Sequence, residues 1–131
     1  MKKILMTTLA SFVLPIAGIA KAEVPNLCQS EYSSQPVASY QTSDFIINIC
    51  KDDKGLFYVG FSRDDREFRT VLDASRIQNE GVTGYAANSG NYNYYILSLP
   101  NGETRLHIRE LTSGGINSLI LNQEVLEFRY Y

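Results

Sequence analysis

The chain holds a single histidine and only two cysteines, and that scarcity closes off several chemistries. A serine–histidine or cysteine–histidine pair has only His107 to draw on. No Gly-x-Ser-x-Gly elbow presents a serine nucleophile. Cys28 and Cys50 lack Cys-x-x-Cys spacing, and no second ligand pair accompanies them, which excludes a redox motif and a zinc site. There is no phosphate-cradling glycine loop and no cofactor fingerprint. Past residue 22 no stretch is apolar enough to span a bilayer.

The first 22 residues read as an export signal. Lys2 and Lys3 form the cationic start, an apolar run extends from Ile4 to Ile19, and Ala20-Lys21-Ala22 fits a small-x-small cleavage site. A retained anchor is the alternative. The shortness of the run, Pro15 within it and the peptidase site oppose that. Cys28 follows Pro25-Asn26-Leu27 rather than small residues at the end of the apolar run, so a lipoprotein reading fails. The mature chain is expected to begin at Glu23, with no membrane span and a periplasmic or extracellular location.

Losing Lys2, Lys3 and Lys21 leaves nine of the 12 basic residues against 14 acidic ones, a net charge near −5. Nucleic-acid binders and polybasic membrane-surface proteins carry the opposite balance. In an oxidising compartment a Cys28–Cys50 bridge is the expected state. Closing a loop of this length stabilises by on the order of 3 kcal/mol in the chain-entropy picture.

What the chain has in quantity is period-two alternation. Residues 23–42 form an expected irregular arm, with a short strand near Val37–Tyr40; residues 43–131 form the domain. Phe45, Ile47 and Ile49 alternate with Ile46, Asn48 and Cys50, then Asp52-Asp53-Lys54-Gly55 turns the chain into Leu56–Phe61. A third strand is predicted over Phe68–Leu72, and Asp73-Ala74-Ser75-Arg76 is predicted to be a loop or a single helical turn capped by Asp73. Gly81–Ala87, Tyr92–Leu99 and Thr104–Glu110 follow as strands. Pro100-Asn101-Gly102 is predicted to be a type I′ hairpin turn. Leu119–Leu121 and Val125–Tyr130 are predicted to pair around Asn122-Gln123. The sum is an all-β fold: a small antiparallel meander of about seven or eight strands, closed as a barrel or folded as a sandwich. Closure removes exposed strand edges.

No cofactor and no metal ligand set is expected, and the chain reads as no enzyme. His107 lies between Arg105 and Arg109, whose charges disfavour the imidazolium a general base must become. It is expected to be a solvated strand histidine. Asp52, Asp53, Asp64 and Asp65 lack calcium-loop spacing and fit turn chemistry. Alternation places Arg105, His107 and Arg109 on one face about 7 Å apart, where they would meet an anion or pair with Glu124 or Glu127 across strands. Tyr85, Tyr92, Tyr94 and Tyr95 are concentrated in one region; Tyr92 and Tyr94 share a face, and Tyr95 takes the other. Such tyrosines give rigid contact area with a polar tip. Tyr85, Tyr92, Tyr94, Arg105, His107 and Arg109 are therefore the candidate binding residues, for an unidentified protein or an anionic ligand.

Two resemblances accompany this reading. Ile49-Cys50, Leu56-Phe57-Tyr58-Val59-Gly60, Gly84-Tyr85-Ala86-Ala87-Asn88 and Asn91-Tyr92-Asn93-Tyr94 together resemble a group of small secreted cyanobacterial proteins that combine a signal peptide, two cysteines and a similar glycine-tyrosine-alanine-asparagine stretch. That likeness covers most of the mature chain; it implies fold and export but no activity. Ser89-Gly90-Asn91-Tyr92 also resembles the serine-glycine-x-x-tyrosine loop of the periplasmic C-type lysozyme inhibitors, which are small barrels. That likeness implies inhibition through the Asn88–Tyr92 turn. The tryptophan and the lysine-glycine element that follow the loop in those inhibitors are absent here.

Overall fold

The computed structural model describes residues 23–131; the expected export signal, residues 1–22, lies outside the described residues. Strand residues two apart share a face, so each apolar alternation in the sequence becomes a strand with one buried side. The strands are β1 (Gln35–Gln41), β2 (Phe45–Asp52), β3 (Gly55–Ser62), β4 (Asp65–Asn79), β5 (Val82–Ser89), β6 (Tyr92–Ser98), β7 (Thr104–Leu111), β8 (Asn117–Glu124) and β9 (Glu127–Tyr130). A five-residue helix, α1 (Cys28–Tyr32), precedes them. Nine strands thus stand where about seven or eight were expected.

All pairings are antiparallel, in one curled sheet with the order β8-β7-β6-β5-β4-β3-β2-β1-β9. The chain meanders through β1 to β8, then β9 returns to pair with β1. The fifteen-residue β4 is shared. Asp65–Asp73 pair with β3, and Ala74–Asn79 pair with β5. The sheet therefore forms a half-barrel with β1–β3 and β9 in one half, β5–β8 in the other and β4 in both. Its edges β8 and β9 are not paired to each other, so the barrel is left open rather than closed. They meet at one link: Val125 N–H donates to the Thr104 carbonyl and Leu126 N–H to the Gln41 carbonyl, each at 2.8 Å.

The inward faces of the two halves make the main core. Ala38, Tyr40, Ile47, Ile49 and Tyr58 meet Tyr85, Ala87, Ile96 and Leu106. Each buried isoleucine or leucine among them stabilises by about 1.5–3 kcal/mol relative to exposure. The outward face of β2 and β3 makes a second core. Ile46, Cys50, Val59 and Phe61 pack under Val24, Leu27 and Cys28. The Cys28–Cys50 disulfide staples α1 to β2 there, with a Cα separation of 5.5 Å.

Four local expectations are corrected. Residues 23–42 are ordered, holding α1 and the seven-residue β1. The buried Asn48 side chain accounts for much of that order: it accepts from Leu27 N–H and donates to the Pro25 carbonyl, both at 2.9 Å. Asp73-Ala74-Ser75-Arg76 is neither a loop nor a helical turn but continues β4, because Leu72 and Ala74 keep the inward alternation going. Asn122-Gln123 lies within β8, and β8 pairs with β7 rather than with the last strand. At Pro100-Asn101-Gly102, Gly102 N–H donates to the Leu99 carbonyl at 3.0 Å, and only Gly102 takes a positive φ, +91°. Pro100 fixes φ near −65°, which suits the first central position of a type I turn, so Gly102 follows the turn instead of sitting inside it.

Candidate functional site

The six candidate binding residues fall in separate places. Arg105, His107 and Arg109 face outward together on β7, opposite the inward Leu106, as alternation predicts. Their neighbours are already engaged. Arg105 Nε donates to Asn122 Oδ1 at 2.6 Å, and its guanidinium pairs with Glu103 at 3.3 Å. Arg109 Nη1 donates to the Asn117 carbonyl at 3.4 Å. Glu124 sits opposite Arg105 in register, but Asn122 and Glu103 take the guanidinium.

His107 is half-buried rather than solvated, and its Nε2 is buried without a hydrogen-bond partner. Burial, then Arg109 and Arg105, hold its pKa below the ordinary imidazole value, against a smaller opposing contribution from Asn122. An imidazole flanked on its strand by two arginines and lowered in pKa by burial is poorly placed to accept a proton.

Tyr92 stands exposed at the start of β6, where the Glu110 carboxylate pushes its hydroxyl pKa up. The preceding turn is built from its own side chains. Asn88 Nδ2 donates to the Gly90 and Tyr92 carbonyls, each at 3.2 Å, and to Asn93 Oδ1 at 2.9 Å. Gly90 takes φ +59°. The loop from Asn88 to Tyr92 is thus exposed yet fixed.

Tyr85 and Tyr94 both face inward but line different recesses between the two halves. Tyr94 joins Phe45, Ile47, Tyr58, Leu106 and Ile108 around an apolar recess of about 220 Å³. Its ring centroid lies 5.5 Å from that of Tyr58. Phe68, 79% exposed, stands at the rim.

Tyr85 lines a recess of about 270 Å³, mixed in polarity, with Tyr40, Tyr130 and Arg76. Thr70 and Arg76 mark the two recesses along β4, roughly 20 Å apart at the strand rise. Alternation through Leu72 and Ala74 carries Arg76 inward. Its Nη1 donates to Tyr85 Oη at 3.0 Å, and its guanidinium carbon lies 5.4 Å from the Tyr85 ring centre. Across the recess Tyr40 and Tyr130 meet edge to face with centroids 6.1 Å apart. Phe128 continues the row, 5.2 Å from Tyr130. Thr83, Ser98 and Gln78 add hydroxyl and amide groups to the walls. Burial, then the phenols of Tyr130 and Tyr85, push the Tyr40 pKa up, against a smaller lowering by Arg76.

Gly84 sets the position of Tyr85. It has φ +145°, and a Cβ there would stand 1.8 Å from the Ile96 carbonyl oxygen. Only glycine lets the two backbones approach so closely.

Among the described residues this recess is lined by phenols, hydroxyls, an amide and one guanidinium, and by no carboxylate or imidazole. No carboxylate among the described residues pairs with Arg76; the ion pairs there belong to Arg69, Arg105 and Arg129. No group of three metal-binding side chains occurs among the described residues. No helix among them is long and apolar enough to cross a membrane. Of this cluster, sequence reasoning reached only Tyr85. The usable signal for Arg76 was its place two and four residues beyond Ala74 and Leu72. Comparison with protein-family models, curated proteins and solved structures finds no match to this chain.

Proposed function

We propose that this chain is an exported, non-catalytic binding domain that seats an anionic ligand between the two halves of its half-barrel, at Tyr40, Arg76, Tyr85 and Tyr130. The observation that carries the reading is Arg76: an open guanidinium, oriented by Tyr85 and without a carboxylate partner among the described residues. A guanidinium has five donors in a fixed plane, and one hydrogen bond to a phenol leaves room for a two-pronged bond to an incoming acid. Walls without a general base support binding rather than turnover. Export rests on the sequence of residues 1–22 and agrees with the disulfide. The outward row of Arg105, His107 and Arg109 is the lesser anion candidate, because its arginines already have partners.

Galacturonate and benzoate, two ring carboxylates, serve as probes in tyrosine-fluorescence titrations of the mature chain. Saturable binding of at least one, lost in Arg76→Gln with an unchanged circular-dichroism spectrum, is expected. Absence of saturation by both, or equal binding by the variant, overturns the assignment.

A second reading is lysozyme inhibition through the Asn88–Tyr92 turn. The self-bonded geometry of that exposed turn supports it, since a preformed loop loses little entropy on entering a cleft. It requires protection of lysozyme in a turbidity assay and loss of that protection in Tyr92→Ala. No protection at large molar excess sinks it.

A further inference from the structure

We infer that the ligand is an acidic saccharide chain, with one charged sugar ring held at Arg76 and Tyr85 and the following units lying along Tyr130 and Phe128. This inference rests on the recess being the binding site and names what fills it.

The lining mixes two kinds of surface. Flat aromatic faces come from Tyr40, Tyr85 and Tyr130, and small hydrogen-bonding groups come from Thr83, Ser98 and Gln78. A sugar ring needs that mixture, because its C–H face packs on aromatic rings while its edge hydroxyls seek donors and acceptors. An acyl chain would leave the hydrogen-bonding groups of these walls without partners. The apolar recess at Tyr94 suits such a chain better, and the two recesses are separate.

The acid group follows from Arg76. Its contact with Tyr85 orients the guanidinium plane, and a carboxylate or sulfate accepts from it through two oxygens.

The chain-like character follows from the aromatic row. Tyr130 and Phe128 are 57% and 55% exposed, and they extend the recess outward along β9, an edge of the sheet. The Phe128 ring is held against Tyr130 at 5.2 Å and the Tyr130 ring against Tyr40 at 6.1 Å, so they present a fixed track rather than loose side chains. A single ring in the recess would leave that track uncovered; successive sugar units would cover it.

The test is calorimetry on the mature, disulfide-bonded chain with galacturonate oligomers of one to six units and neutral cello-oligosaccharides of the same lengths. Acidic oligomers are expected to bind more tightly as they lengthen, by about tenfold from one unit to three, with neutral ones at least tenfold weaker throughout, the loss expected when a charged two-pronged bond is missing. Arg76→Gln should erase the preference for acid. Phe128→Ser should reduce long oligomers to single-unit affinity. Saturation by benzoate or galacturonate without any gain in longer oligomers overturns the saccharide-chain inference and leaves the recess assignment standing. Equal binding of neutral oligomers overturns the acid requirement. Failure of both small probes overturns the assignment, and with it the inference.

Discussion

Thr42 and Gln123, 81 residues apart in the chain, meet side chain to side chain: Thr42 Oγ1 donates to Gln123 Oε1 at 2.6 Å. Gln123 Nε2 then donates to Asp44 Oδ2, also at 2.6 Å. The β1–β2 turn is thereby fastened to β8, close to the Val125–Leu126 link between the two sheet edges. Thr42 is fully buried, and its hydroxyl also accepts from Phe45 N–H at 3.0 Å. Thr42→Val leaves these groups unpaired and is expected to cost about 1–3 kcal/mol. Gln123→Ala should cost about 1 kcal/mol, and the double variant less than the sum, because both changes remove the same bond. Urea unfolding of the four proteins measures this; strict additivity would show that the fastening contributes nothing.

The disulfide holds α1 against the outer face of β2. Cys28→Ser with Cys50→Ser is expected to lower stability by on the order of 3 kcal/mol. Thermal melts of the wild type with and without reductant should reproduce most of that difference. The loss should be accompanied by freer exchange of the amides of Leu27 and Ser34, which depend on Asn48 and on the Cys28 carbonyl.

Gly84→Ala should be among the most damaging single changes in the molecule. The methyl group would collide with the Ile96 carbonyl, and φ +145° would itself be strained. A loss of about 4 kcal/mol or more is expected, with β5 and β6 forced apart. Gly90→Ala, with open space around its Cβ position and φ +59°, should cost only about 1 kcal/mol. Comparable soluble yields and melting temperatures for the two variants would refute this ordering.

Stability should fall at both ends of the pH scale. The folded-state pKa of His107 is lowered, so below about 6.5 the unfolded chain binds a proton that the folded chain resists. Stability is therefore full above that pH and declines as pH drops through the window beneath it; His107→Gln should remove this part of the decline. Tyr40 and Tyr58 have raised pKa values, chiefly through burial. Above about pH 10 the unfolded phenols lose protons that the folded ones keep, so stability declines again as pH rises. Tyr40 and Tyr58 should ionise only with unfolding, as a late step in a 295 nm absorbance titration.

Much of the fold was legible because it is written in short-range alternation. Phe45-Ile46-Ile47-Asn48-Ile49-Cys50 buries both faces, one against the half-barrel core and one beneath α1, and its turn at Asp52–Gly55 closes the predicted hairpin with β3. The disulfide and the opposite faces of Leu106 and His107 were equally plain. The rest depends on contacts that no local window contains. β9 pairs with a strand some 90 residues away, as Tyr40 opposite Phe128 shows. The full length of β4 was obscured because Asp73 and Ser75 favour turns when read alone. The candidate site gathers Tyr40, Arg76, Tyr85 and Tyr130 from β1, β4, β5 and β9, and only their spatial convergence makes them a group.

The sharing of β4 between both halves bears on how the molecule comes apart. A seam between two independent sheets could open while each survived. Here one continuous strand contributes backbone pairing to both, so neither half retains its border once that strand is lost. Thermal failure should accordingly be a single concerted event, and the recess around Arg76 at the strand's far end should vanish in step with the apolar recess at its beginning rather than ahead of it.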